Sequence, residues 1–163
     1  LVHEVDLLRY LFGDVTAVRG VGSNAVRGAA RVESGAAVLQ FASGASASIA
    51  FSDASASPFG FEAGTGENPN IAATGQDYLH ICGTNGAVSF PSLTLWSGAR
   101  DWSDTPQRAV QESAANVPLV AQLEHFAQVC AGKATALVSA QDARKTLDVT
   151  LAIKAAVAPK EAA

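Results

Sequence analysis

No methionine occurs among the 163 residues, and Leu1 stands at the first position. The helical pattern described below is already running there with no N-cap residue before it, which reads as a fragment of a longer protein, cut on its N-terminal side. A leader segment therefore stays an open question. Cysteine is nearly absent: Cys82 and Cys130 stand alone, with no Cys-x-x-Cys and no histidine spaced as a zinc partner. Two such cysteines in apolar surroundings read as buried thiols, and a reducing cytoplasm is the expected compartment. No apolar run approaches the roughly 20 residues that a membrane span needs. Basic runs are missing too. The 11 Lys and Arg are scattered against 15 Asp and Glu, for a net charge of −4, which excludes a broad phosphate-binding face and argues against nucleic acid. Nor is there a serine nucleophile elbow, a P-loop, a GxGxxG turn or a metal motif.

What is present is one domain's length of chain, 48% hydrophobic and 16% charged, rich in Ala and Val, enough to bury a close-packed core. Its most informative stretch is the first, LVHEVDLLRYLFG. On a helix, Leu1, Val5, Leu8 and Phe12 form one apolar stripe and Leu7 and Leu11 a second. Such a helix is expected to be packed on two sides. Between the stripes run His3, Asp6 and Tyr10, a polar line that must meet water, a partner or a ligand. Gly13 suits a left-handed helix end.

The rest reads as short strands and then helices. Strands are expected at Val15–Val21, Ala36–Ala42 and Ala45–Ser52, the last two joined by Ser43-Gly44, with Gly22–Gly35 as loop. Small residues from Ala45 to Ser48 leave that strand flat. Ala54–Gln76 shows no sustained period. A structureless connection of roughly twenty residues is most often functional or disordered, and Phe59, Phe61, Glu62, Glu67 and Asn68 make this one too aromatic for a linker. A lid or wall of a site is expected there. Strands resume at Asp77–Cys82, Ala87–Phe90 after the Asn85-Gly86 turn, Leu93–Ser97, and an edge strand at Gln107–Ser113. Helices then cover Pro118–Ala131, with Leu119, Leu123, Phe126 and Cys130 on one face, and a stretch opened by Ser139 and Asp142 as a capping box. That last helix carries Ala143, Leu147, Thr150, Leu151, Lys154 and Ala155 to Val157, with Pro159 as its stop. The order defines an α+β fold, a mostly antiparallel open sheet with helices on one face. Strands such as AAVLQFA keep uncharged residues on both faces, so the open face is expected to be covered by a second copy, in a homodimer or tetramer.

His3 and Asp6, one turn apart, suit general acid/base chemistry, since an imidazole exchanges protons under physiological conditions and a carboxylate orients it. The bland alternative is that they bridge nearby backbone. His80 is expected half-buried in its strand, on the face opposite Cys82, and His125 to be a packing or supporting residue.

HEVDLLRYLFGDV resembles the helix that follows the nucleotide-binding domain in the Gfo/Idh/MocA oxidoreductases, relatives of glucose–fructose oxidoreductase and inositol dehydrogenase. Similar too are the strands around Val38-Leu39-Gln40-Phe41, the ICGTNGAVSFP block at Ile81–Pro91, QLEHF at Gln122–Phe126 and the LVSAQDARKTLDVTLAIKAA ending, all in family order. The resemblance implies that residues 1–163 are a single substrate-binding and oligomerisation domain of the glucose–fructose oxidoreductase/dihydrodipicolinate reductase-like type. It lacks the N-terminal Rossmann domain that would bind most of NAD or NADP. It implies hydride exchange with a sugar, cyclitol or similar polyhydroxylated substrate, with no metal and no membrane. His3 then matches the family's catalytic histidine. Asp6, Tyr10, Glu62, Glu67 and Asn68 are the expected substrate contacts, the last three by closure of the long loop. The family's lysine belongs to the other domain, and its aspartate four residues before the histidine falls ahead of Leu1. The chain alone is thus expected to be inactive. A non-catalytic assembly or ligand-sensing module on the same fold is the alternative.

Overall fold

A computed structural model describes residues 1–28, 30–112 and 117–158. Among them the chain forms two compact units, Leu1–Ser55 with Gln122–Ala163, and Ala56–Ala121 between. The element order is α1 (Val2–Phe12), β1 (Val15–Ser23), β2 (Ser34–Phe41), β3 (Ser46–Ser52), α2 (Phe61–Thr65), β4 (Leu79–Gly83), β5 (Gly86–Phe90), β6 (Thr94–Ser97), β7 (Gln107–Val110), α3 (Pro118–Cys130) and α4 (Ala140–Ala156). All pairing is antiparallel, as expected, but the strands form two sheets, β1-β2-β3 and β4-β5-β6-β7, rather than one meander.

In the first unit, α1 packs on α4 and α4 on β1. The sheet turns Ala37, Leu39 and Phe41 inward, and with Val5, Leu8, Ile153 and Val157 these are buried. The Phe41 ring meets Phe12 at 5.4 Å. Of the first α1 stripe Val5 and Leu8 are enclosed, Phe12 is half-buried and Leu1 is exposed. Leu7 is half-buried and Leu11 exposed, because the helix has α4 on one side and no second layer among the described residues. Gly13 closes α1 at φ 91°, its N–H donating to the Arg9 carbonyl at 2.8 Å.

β1 runs two residues further than its β-branched stretch, to Ser23, because Gly20 and Gly22 allow the end of α4 to lie against it. A Cβ on Gly20 would stand 2.7 Å from Val157 Cγ1, and one on Gly22 only 2.2 Å from the Val157 carbonyl oxygen. The return is held by Glu33, buried, which accepts the N–H groups of Val26 and Arg27 at 3.1 and 3.0 Å. Those N–H donors, Arg27 first, hold its carboxyl below the usual carboxylate range. The Ser43-Gly44 turn is tied to α1 by Ser43 Oγ donating to the Phe12 carbonyl at 2.8 Å. The sheet's other face is open: Val21 and Val38 are exposed beside Ala36, Ala50, Ser46 and Ser48.

α4 starts as its sequence indicates, with Ser139 Oγ accepting from the Asp142 N–H at 3.1 Å. Its buried residues are Thr146 and Ile153, followed by the buried C-cap Val157, while Leu147 and Leu151 are exposed. A threonine takes the core position because α1 supplies partners for its hydroxyl. Pro159 and Ser113 lie outside the described residues. On α3 the apolar face is not covered by any described residue: Leu119, Leu123 and Phe126 are exposed. Both cysteines are exposed as well, Cys130 on this helix and Cys82 in β4, so neither is a buried thiol. His80 is exposed, not half-buried, and two residues from Cys82 it shares that residue's face.

The second unit corrects the reading of 54–76 as structureless. Phe61–Thr65 is a short helix, and its Phe61 ring joins Tyr78 and Phe90 at 6.3 and 6.4 Å. The chain returns through Thr74, whose N–H donates to the Ala63 carbonyl at 2.7 Å. The β4–β5 hairpin turns on Thr84 and Asn85, with Gly86 already in the strand. Asp77 fixes the entry to β6. Its Oδ1 accepts from the Ser92 N–H and its Oδ2 from the Ser92 hydroxyl, both at 2.8 Å. The backbone donor is the larger cause of a carboxyl held below its ordinary 3.8. A depressed folded-state value contributes stability above the unfolded value and loses it as pH falls through the folded one. Thermal scans from pH 6 to 3 are therefore expected to show Asp77→Asn less stable than wild type at pH 6, with the gap closing below about pH 4.

Candidate functional site

The first unit carries an open depression of about 410 Å³, lined by His3, Asp6, Leu7, Arg9, Tyr10, Leu137, Val138 and Asp142. The polar line of α1 thus faces one surface. Helical spacing puts His3, Asp6 and Tyr10 on adjacent turns, and the segment before α4 supplies an apolar wall, Leu137 and Val138. That wall is held by His125, whose Nε2 accepts the Leu137 N–H at 3.3 Å, the supporting role its sequence setting indicated. His3 is exposed, and its ring has no hydrogen-bond partner among the described residues. Tyr10 is 85% exposed at the rim.

Asp6 is half-buried, and its Oδ1 accepts from the Thr146 hydroxyl at 2.6 Å. Behind Thr146 lies Arg9, a buried cation. Its Nη1 donates to Thr146 Oγ1 at 2.6 Å and to the Asp142 carbonyl at 3.1 Å. Its Nη2 donates to Asp142 Oδ1 at 2.8 Å and Asp14 Oδ1 at 3.2 Å. The Asp142 hydrogen bond, against the opposing effect of burial, raises Arg9 above its already high value. Asp14 is held low by the Lys145 ammonium at 2.8 Å and then by Arg9. Six side chains from α1, the turn after it and α4 thus form one network beneath the depression.

Replacing Arg9 by methionine keeps the stem's volume and removes the charge. Asp142 and Asp14 are 47% and 55% exposed and can return to water, so the expected loss is that of one charged hydrogen-bond set, about 2 kcal/mol. Urea midpoints of Arg9→Met against wild type measure it.

Glu62, Glu67 and Asn68 belong to the second unit. Asn68 Nδ2 donates to Glu62 Oε1 at 3.1 Å, and its Oδ1 accepts the Asn70 N–H at 3.0 Å. The Glu67 N–H donates to Thr65 Oγ1 at 3.3 Å. Glu62 and Asn68 are therefore paired with each other. Sequence reasoning passed over Arg9, Asp142, Leu137, Val138 and Thr146. Arg9, three residues after Asp6, was the available signal: a cation beside the apolar stripe needs buried partners.

Among the described residues no three His, Cys, Asp or Glu side chains are grouped to hold a metal ion, and no helix is long and apolar enough to cross a membrane. Among the described residues every strand pair is antiparallel and no glycine-rich turn links a strand to a helix as in the dinucleotide fingerprint, so these residues do not fit the pyrophosphate of a dinucleotide.

The class these features define is an antiparallel α+β domain with a histidine–aspartate line on its first helix. The chain belongs to the GFO/IDH/MocA C-terminal domain family, which matches residues 1–89. No curated protein sequence matches it. Among solved structures it is similar to the UDP-N-acetylglucosamine 3-dehydrogenase GnnA of Acidithiobacillus ferrooxidans, with 21% identity and a TM-score of 0.69 over 96% of this chain and 45% of that one. It is also similar to the WlbA dehydrogenase of Bordetella pertussis, in complex with NADH and UDP-GlcNAcA, at 19% identity and TM-score 0.55, over 95% and 40%. An aldose-aldose oxidoreductase of Caulobacter crescentus complexed with glycerol gives 19% and 0.56, over 95% and 43%. The chain spans less than half the length of each of these relatives.

Proposed function

We propose that this chain is the substrate-side domain of an NAD(P)-dependent oxidoreductase acting on a sugar, a cyclitol or a related polyhydroxylated compound. The observation that carries the reading is the His3–Asp6–Tyr10 line facing one depression. Solved relatives in complex with UDP-GlcNAcA or glycerol support the substrate class. The dinucleotide, which supplies the hydride acceptor or donor, is held outside these residues. This chain's part is to bind and orient the substrate and to handle its hydroxyl proton. His3, with an unpartnered ring, takes that proton as the carbonyl forms or returns it in reduction. Asp6 accepts a neighbouring hydroxyl and Tyr10 covers a ring face.

The open face of β1-β2-β3 supports assembly with a second copy. Val21 at 72% and Val38 at 53% exposure lie among small side chains of β2 and β3, with the exposed Arg19 of β1 opposite Val38. The alternative, an assembly or ligand-sensing module without catalysis, rests on this surface alone.

The test is titration of the full-length protein with NADH and NADPH, then assay against a panel of hexoses, inositols and nucleotide sugars. Cofactor binding with turnover of a panel member is the expected result, in a particle that sediments as a dimer or tetramer. An oligomer that binds no dinucleotide would overturn the enzyme reading in favour of the assembly module.

A further inference from the structure

Beneath the depression, the direction of each hydrogen bond is fixed by chemistry. A guanidinium only donates, so Thr146 Oγ1 must accept from Arg9 Nη1 at 2.6 Å. The hydroxyl's one proton is then committed to its other partner, Asp6 Oδ1, also at 2.6 Å. Thr146 is 3% exposed. Arg9 behind it is gripped by Asp142 and Asp14, so the guanidinium cannot swing away. Asp6 Oδ2 makes no hydrogen bond among the described residues, and Asp6 lines the depression.

We propose that Thr146 is a positioning residue: its hydroxyl, polarised by Arg9, fixes the Asp6 carboxylate so that Oδ2 is free to accept a ligand hydroxyl beside His3. The inference rests on the depression being the substrate site and deepens that reading. Arg9 is the anchor and Asp6 the contact. Thr146 connects them, and a chain of hydrogen bonds ending in a buried cation holds its members more firmly than isolated pairs do.

The test uses the full-length protein with its dinucleotide and the hexose or inositol it turns over fastest. Thr146→Val keeps the β-branched shape and deletes the hydroxyl. It is expected to raise KM about tenfold, a differential interaction near 1.4 kcal/mol, with kcat within about twofold. Thr146→Ser keeps the hydroxyl and is expected to keep the wild-type KM. In an Asp6→Asn background the valine substitution is expected to add nothing further, since the effect passes through Asp6. Three-bond couplings in protein labelled at aspartate report the Asp6 rotamer directly: single in wild type and Thr146→Ser, averaged in Thr146→Val.

An unchanged KM with an unchanged rotamer in Thr146→Val overturns the proposal. So does a serine variant as impaired as the valine one, since the retained hydroxyl would then not preserve the site. Thr146→Ala replaces the valine variant if that one does not fold. A wild type that turns over no sugar or polyol, with Asp6 averaged in Thr146→Val, overturns the substrate reading and leaves the positioning role supported.

Discussion

His3→Ala in the full-length protein is expected to lower kcat by about 10² to 10⁴, the range a positioned acid/base group contributes, with the dinucleotide bound as in wild type. The reasons are local. His3 lies one turn before Asp6 on the wall of the depression, exposed and with no competing hydrogen bond among the described residues. Alanine removes the group proposed to receive the substrate proton and disturbs no buried contact, because the enclosed side of α1 is Val5, Leu8 and Arg9. Rapid-mixing kinetics with parallel dinucleotide titration measure both quantities. Turnover unchanged with binding unchanged would remove His3 from the chemistry and leave it a surface residue.

Gly22→Ala is expected to be the most damaging single-methyl change in the first unit. Its new Cβ would stand 2.2 Å from the Val157 carbonyl oxygen and 2.8 Å from Val32 Cγ1. Backbone cannot move aside as the tip of a flexible side chain can. Either the end of α4 lifts from β1, uncovering Val157 and Ile153, or the strand bends away from Gly35, its partner. Overpacking of this kind costs about 3 kcal/mol. For a chain of this size that corresponds to a fall in Tm of roughly 6–12 °C. Gly83→Ala is the control: its Cβ meets only the Gly86 carbonyl oxygen at 3.7 Å, and a shift within about 0.5 kcal/mol is expected. Equal losses at both positions would show that the approach of α4 does not set the cost.

Much of the first unit was legible because its signals are local. The α1 period, the Gly13 end, the Ser43-Gly44 turn and the Ser139–Asp142 cap each depend on residues within a few positions of one another, and each appears in the structure. The polar line of α1 was legible for the same reason, since 3.6-residue spacing alone places His3, Asp6 and Tyr10 together. What sequence could not carry was partnership at long range. Hairpins specify their own pairing and are silent about the next hairpin, so the break into two sheets between β3 and β4 left no mark. Leu147 looked like core and Thr146 did not, until Arg9 and Asp6, more than 130 positions away, gave its hydroxyl two partners. The cysteines were misread because apolar neighbours in sequence are not apolar cover in space. Cys130 sits on a helix with no buried residue. The site's apolar wall was missed because Leu137 and Val138 lie between two helices, in a stretch whose conformation depends on His125.

The pairing of α1 with α4 also sets an order of events during synthesis. Asp6 and Arg9 leave the ribosome more than 130 residues before Thr146 and Asp142, and the whole of 56–121 is made in the interval. β1, β2 and β3 can pair as soon as they emerge, since neighbours in the chain are neighbours in the sheet. Val5, Leu39 and Phe41 must wait. Until α4 arrives, the sheet has two bare faces, and the nascent chain passes through its most aggregation-prone stage with β1–β3 formed and uncovered. Lengthening the 56–121 segment prolongs that wait in direct proportion, while the added loop-closure entropy grows only with the logarithm of length. Insertions there are therefore tolerated thermodynamically and act on the yield of folded protein through time.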